Sequence, residues 1–430
     1  VRPGVHAALA LVRTLVVAPD PPAPQPSLVA GSTRSPQLVA RHLRPCRWSR
    51  PWRAPRAAEA VTPLARGAGR VGVVSADADD PTPDWVDAVT HASSPPELTT
   101  VGPDIAVVHE GLKVRRYDDL TPDTAYDLDG FSFRSLPEPG ELLATFATVN
   151  DVHFGEEVCG VIDGSDLGPV FRSEPGADPY PEVMNRAAIS EIASIDPSLV
   201  VVKGDLTSNG TEREYDEFLA AYEPAFADRL LVVRGNHESY NHAGFARDPW
   251  QSVVLDGAVV ALVDTSVDGV VAGTVTPDQL DWLDALAADA DRPVLVFGHH
   301  HLGDRNSTEK ADRTFGIDLE SSEALVDLVA RRPRIRGYFA GHTHRNRVRR
   351  FGPSGDVPWV EVACVKDYPG AWAEYRVHEH GVVQIHHRIS TPEAMAWTEQ
   401  TRHMYAGLYQ DYAFGSLADR CFVVPAEARS

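Results

Sequence analysis

Five short motifs carry the residue types that bind hard cations: Asp151-Val152-His153, Gly204-Asp205, Gly235-Asn236-His237-Glu238, Gly298-His299-His300-His301 and Gly341-His342-Thr343-His344. Together they offer carboxylate oxygens, one amide oxygen and several imidazoles, with no thiolate. That set suits borderline divalent ions such as Mn, Fe, Zn or Ni, and disfavours Cu(I), calcium cages and iron–sulfur clusters. The donors are too many for one ion. They match two ions about 3.5–4 Å apart sharing one carboxylate, an arrangement that clamps attacking and leaving oxygens in phosphoryl displacement. Such a pair would bring the pKa of a bridging water from near 16 toward about 7, making hydroxide available at neutral pH.

Each motif follows an apolar run: Leu142–Val149, Leu199–Val202, Leu230–Val233, Val294–Phe297 and Ile335–Ala340, with a further run at Val259–Val263. Helical patterns lie between several of them. Pro181–Ile195 places Val183, Ala187, Ala188, Ile192 and Ile195 at helical spacing. Thr276-Pro277-Asp278-Gln279 reads as an N-cap with a capping-box partner, and Ser321–Arg331 is a helix stopped by Pro333. Val/Leu runs alternating with helices predict strands buried on both faces in an α/β architecture. The five motifs are then expected to converge at the carboxyl ends of strands of one sheet. Beyond His344 the runs Trp359–Val365, Ala371–Val377 and Val382–Ile389 predict further strands, the last two joined as a hairpin.

The order D-x-H, G-D, G-N-H-E, G-H-H, G-H-T-H resembles the calcineurin-like metallophosphoesterase superfamily over roughly residues 141–390. That superfamily includes class III cyclic-nucleotide phosphodiesterases and purple acid phosphatases. The resemblance implies a four-layer α/β/β/α sandwich of two mixed sheets and two metal ions. It implies that Asp151, His153 and His344 hold the first ion and that Asp205 bridges both. Asn236, His342 and one histidine of the 299–301 run would hold the second, and His237 would face substrate as a phosphate-stabilising or proton-donating group. The family's fourth motif often reads G-H-H-P; here His301 stands where that proline would be. This alignment favours His299 as the ligand and leaves His300 as the alternative, or as a substrate contact. The implied reaction is hydrolysis of a small phosphodiester such as a cyclic nucleotide, with phosphomonoesterase action as the competing reading and a non-catalytic scaffold of the same fold as the lesser one. Purple enzymes usually carry a tyrosine ligand near the second motif, whereas Leu206-Thr207-Ser208 follow Asp205 here.

The remaining chain divides by composition. Residues 1–70 contain eleven Arg, no Lys and two acids, a charge of about +9, leaving about −30 for residues 71–430. We read 1–80 as disordered or non-native sequence. Val5–Ala18 resembles a signal-peptide core, but Arg13 interrupts it and no clean cleavage site follows. Residues 85–139 read as a small β segment. Within it Leu120-x-Pro122-x-Thr124-x-Tyr126-x-Leu128 resembles the tyrosine corner of fibronectin and immunoglobulin-like sandwiches. Residues 140–390 form the catalytic unit. Residues 391–430 form a tail in which Met404, Leu408 and Tyr412 predict an amphipathic helix, a candidate cap or oligomer contact. Arg345, Arg347, Arg349 and Arg350 read as a solvated strand face from which Arg345 or Asn346 could reach a phosphate.

The net charge of −21 argues against a nucleic-acid partner, because phosphate backbones are held by Lys and Arg. No run approaches the roughly 20 apolar residues that span a bilayer. Four dispersed cysteines form no metal ribbon or disulfide framework, so a reducing cytoplasm is the expected compartment and a small phosphorylated molecule the expected partner.

Overall fold

The computed structural model describes residues 73–74, 94–161, 167–303 and 315–427; most of the segment read as 1–80 lies outside them. The first strands form two small units: a three-stranded antiparallel sheet of β1 (Glu97–Val101), β2 (Ala106–Glu110) and β3 (Lys113–Tyr117), and a hairpin of β4 (Ala125–Leu128) and β5 (Phe131–Arg134). Beside the hairpin, the Thr121 N–H donates to the Tyr126 hydroxyl at 2.7 Å.

The rest of the chain builds two six-stranded mixed sheets. In chain order the elements are β6 (Leu142–Val149), α1 (Tyr180–Ser194), β7 (Val200–Lys203), α2 (Glu212–Phe226), β8 (Leu230–Val233), α3 (Asn236–Tyr240), β9 (Trp250–Leu255), β10 (Ala258–Val263), α4 (Pro277–Asp289), β11 (Val294–Phe297), α5 (Leu319–Arg331) and β12 (Ile335–Ala340). They continue as β13 (Arg347–Arg349), β14 (Trp359–Glu361), β15 (Ala371–His378), β16 (Gly381–Arg388), α6 (Pro392–Thr401), α7 (Tyr409–Phe414), α8 (Leu417–Arg420) and β17 (Phe422–Pro425). The first sheet has the order β8-β7-β6-β15-β16-β17 and the second β9-β10-β11-β12-β14-β13. Strands β6, β7 and β8 run parallel, as do β10, β11, β12 and β14.

Strand alternation separates three cores. Phe146 of β6, Val201 of β7 and Tyr375 of β15 meet Val260, Leu295, Phe297 and Phe339 of the second sheet, so the two sheets pack face to face. Phe146 stacks on Tyr375 with centroids 4.6 Å apart, and Phe297 on Phe339 at 4.9 Å. On the outer face of the first sheet, Ala147, Val149, Val200 and Val202 pack against α1 and α2 through Met184, Ile192, Phe218 and Tyr222. On the outer face of the second, Val259, Val294 and Ile335 pack against α4 and α5 through Leu283, Leu325 and Val329. The layers are therefore helix, sheet, sheet, helix.

Local signals place the helices where the sequence indicates. Thr276 accepts from the Gln279 N–H while Gln279 returns a bond to the Thr276 N–H, closing the capping box of α4. Three readings change. The five motif-bearing strands belong to two sheets, with β6, β7 and β8 in one and β11 and β12 in the other. The predicted strand 359–365 stops at Glu361, and 362–370 is a loop. The predicted helix through Met404–Tyr412 is broken, because Tyr405, Ala406 and Gly407 all have positive φ, a conformation no right-handed helix accepts.

Candidate metal centre

Each motif begins where a strand runs out. Asp151, His153, Asp205, His342 and His344 have φ of 54°, 49°, 48°, 66° and 52°. Left-handed conformations at non-glycine residues cost on the order of 1 kcal/mol or more each, and clusters of them mark functional sites. The surrounding backbone fixes them. Val152 and His153 both donate to the Asp205 carbonyl at 3.0 Å, and Asp151 donates to the Gly204 carbonyl at 3.1 Å. The glycines ahead of the donors are there for space. A Cβ at Gly235 would meet Asp205 Oδ1 at 2.3 Å and His299 Nε2 at 2.8 Å, and one at Gly341 would meet Asp151 Oδ2 at 2.7 Å.

The site is stitched across the two sheets. The His342 N–H, from the second sheet, donates to the Asp151 carboxylate of the first at 3.0 and 3.1 Å. The His299 ring, from the second, lies with Nδ1 2.9 Å from the Lys203 carbonyl of the first. Donor atoms consequently gather in overlapping groups, each with its atoms within 4.8 Å: Asp151, His153 and His344; His153, Asp205 and His237; Asp151, Asp205 and His299; and His299, His300 and His342. Asn236 joins them through Oδ1, 3.0 Å from His299 Nε2. All nine residues singled out from the sequence are thus brought to one place, and Asp205 is 3.5 Å from His153 and 3.4 Å from His299.

Their hydrogen bonds distinguish them. Both ring nitrogens of His153 are buried without a hydrogen-bond partner, and a cation would meet one of them. His342 spends Nε2 on the Phe315 carbonyl at 2.6 Å, leaving Nδ1 toward the cluster. His300 is occupied at both nitrogens, by Thr265 Oγ1 at 2.8 Å and the Val271 carbonyl at 2.9 Å, whereas His299 faces Asp205 and Asn236. His237 is half-buried, with Nδ1 2.7 Å from both the Ser208 carbonyl and the Tyr240 hydroxyl; its own N–H donates to Asp205 Oδ1 at 3.0 Å.

Electrostatics suit the same chemistry. Burial pushes His153 and His342 well below the ordinary imidazole range, so they stay neutral, the form that ligates. For Asp205 burial acts upward, but His299, His237 and His153 outweigh it and hold the carboxyl well below its usual value. The donor set and the His153 nitrogens without hydrogen bonds therefore fit divalent metal binding.

Several contributors have no role in the motif reading. Glu238 accepts from the Gly235 N–H at 2.7 Å and from the Thr207 N–H and hydroxyl at 2.8 and 2.7 Å, tying the third motif to the second. Asn150 donates to Asp151 and to the Val362 carbonyl. Asp367, on the loop between β14 and β15, lies 3.3 Å from His344 Nδ1. No local pattern marks it. The arginine reading is corrected: Arg345 is buried and ion-paired with buried Glu361 at 2.7 Å, and Asn346 is buried, so neither forms a solvated face.

A family model described as calcineurin-like phosphoesterase matches residues 144–346, a span that contains all five motifs. Residues 144–346 are a calcineurin-like phosphoesterase domain. The domain is 33% identical over 178 residues to the 3',5'-cyclic adenosine monophosphate phosphodiesterase CpdA of Pseudomonas aeruginosa, covering 40% of this chain and 63% of that protein. It is 31% identical over 173 residues to the glycerophosphodiester phosphodiesterase GpdQ of Enterobacter lignolyticus, covering 36% and 59%. The chain thus spans a little under two thirds of these relatives' length. A solved dimetal phosphatase from Danio rerio superposes with a TM-score of 0.43 at 16% identity, covering 58% of this chain and 98% of that one. Among the described residues, no helix is long and apolar enough to cross a membrane.

Proposed function

We propose that the chain hydrolyses a small phosphodiester at two divalent ions held between its sheets. The observation that carries this reading is the sharing of donors: Asp205 sits between one group of candidate ligands that follow β6 and β12 and another that follow β8, β11 and β12. Asp151, His153 and His344 would hold one ion and Asn236, His299 and His342 the other, with Asp205 common to both. When bound, such a pair supplies charge for the phosphoryl oxygens and hydroxide from water at neutral pH. His237 is the group left to act on substrate. The Ser208 carbonyl accepts its Nδ1–H, which turns Nε2 toward the cluster, where it can donate to a phosphoryl or leaving-group oxygen once protonated. The Asp205 carboxylate takes the His237 N–H and so fixes that turn.

Diester over monoester is favoured by the names of the relatives, both diesterases, and by the absence of a tyrosine among Leu206-Thr207-Ser208 after Asp205. The test compares turnover of bis(p-nitrophenyl) phosphate with that of p-nitrophenyl phosphate, with Mn²⁺ added and then chelated. Faster diester turnover that disappears with the metal is expected. Preference for the monoester would overturn the substrate class, and turnover indifferent to chelation would overturn the metal mechanism.

A further inference from the structure

The family match ends at residue 346, yet a first-motif partner of the metal cluster is buttressed from beyond it. His344 presents Nε2 to Asp151 Oδ1 at 3.4 Å, and its other nitrogen, Nδ1, lies 3.3 Å from Oδ2 of Asp367. Asp367 is buried in the 362–370 loop. Its second oxygen, Oδ1, accepts from the Tyr409 hydroxyl of α7 and from the Cys364 thiol at 2.9 Å. With Oδ1 engaged by those two donors, Oδ2 is the atom that faces the histidine.

The loop carrying Asp367 is fastened from both ends of the chain. The Trp397 indole donates to the Lys366 carbonyl at 2.7 Å, and the Tyr368 N–H to the Thr401 hydroxyl at 3.0 Å. The Tyr368 hydroxyl reaches back to the Glu97 carboxylate of β1 at 2.7 Å. Lys366, the nearby cation, is 2.6 Å from the Glu156 carboxylate and 3.7 Å from Asp367, so its closer partner is Glu156.

We propose that Asp367 is a positioning residue for His344. Its carboxylate accepts the Nδ1–H, selects the tautomer with a lone pair on Nε2, and holds the ring against Asp151. Metal-bound imidazoles commonly donate their second N–H to a carboxylate, and losing that acceptor typically weakens the metal 10- to 100-fold. The role rests on the two-ion reading above, with His344 a ligand of only one ion.

The test is Mn²⁺ binding to the full chain, with free Mn²⁺ followed by electron paramagnetic resonance, for wild type, Asp367→Asn, Tyr409→Phe and Cys364→Ser. Wild type should bind two ions. Asp367→Asn should keep one at the wild-type affinity and bind the other about 10- to 100-fold more weakly. Tyr409→Phe, which leaves the carboxylate in place but frees Oδ1, should weaken the same ion by a smaller factor. Two ions bound with unchanged affinity by Asp367→Asn would overturn the proposal. Should that variant not fold, an unchanged isotherm for Tyr409→Phe would overturn it instead. A third ion in wild type, lost in Cys364→Ser, would also overturn it, because His344 Nδ1 would then be a ligand grouped with Cys364 and Asp367. Failure of wild type to bind Mn²⁺ at all would instead remove the two-ion reading, and this role with it.

Discussion

At the scale of single residues, Asp205 ties together donors from several motifs. It faces His153 and His299, receives the His237 N–H, and its backbone carbonyl anchors the first motif. Asp205→Ala should therefore abolish hydrolysis and lower metal content in the same preparation, measured by turnover and by elemental analysis; an active, metal-replete variant would contradict the bridging role. Residue identities at this scale were readable in advance because each sits at a strand end behind a glycine or an apolar run. Asp367 and Asn150 were not, and Glu238, though it stands in the third motif, had no role assigned. Asp367 is brought to His344 by a loop whose sequence, Val362–Gly370, has neither period nor motif. The involvement of His300 was left open by the sequence; its bonds to Thr265 and Val271 are tertiary facts that spacing does not contain.

At the scale of elements, the apolar runs before His344 became strands within a residue or two, because four to eight consecutive Val, Leu and Phe side chains cover both faces of a buried strand. Sheet membership was not legible, since a buried strand of either sheet has the same composition. The tail shows the opposite failure. Met404 and Tyr409 are buried by tertiary packing while positive φ at Tyr405, Ala406 and Gly407 interrupts the helix that the spacing of Met404, Leu408 and Tyr412 suggests. One prediction belongs to β15. Glu374 is bonded to His387 at 2.8 Å and to Arg376 at 2.6 Å. Burial alone would raise its carboxyl, but these two partners bring it from 4.5 to about 2. A depressed carboxyl stabilises the fold fully above its unfolded value and loses that contribution as pH falls toward the folded one. Wild type should thus lose stability between about pH 4.5 and 2, by at most about 3 kcal/mol from this group. In Glu374→Gln, urea midpoints measured from pH 5 downward should fall less steeply than in wild type.

At the scale of the whole molecule, ions bound between the sheets would add a further link to two layers held by side-chain packing and a few hydrogen bonds. Ligands present at 100 to 1,000 times their dissociation constant add roughly 3–4 kcal/mol to stability. Chelation should then lower the midpoint of thermal unfolding by on the order of 10 °C, and Mn²⁺ should restore it, as followed by circular dichroism. An identical midpoint with and without chelator would argue against ions at this position. Because Asp151 and Asp205 rise from one sheet and His299 and His342 from the other, the spacing of the sandwich sets how far the donors of the two sheets stand from each other. That spacing is filled by Phe146, Phe297, Phe339 and Tyr375. The aromatic filling thus works as a shim beneath the candidate site: trimming one ring would change how far the donor atoms of one sheet stand from those of the other, although the rings lie in the layer between the sheets and are not themselves donors.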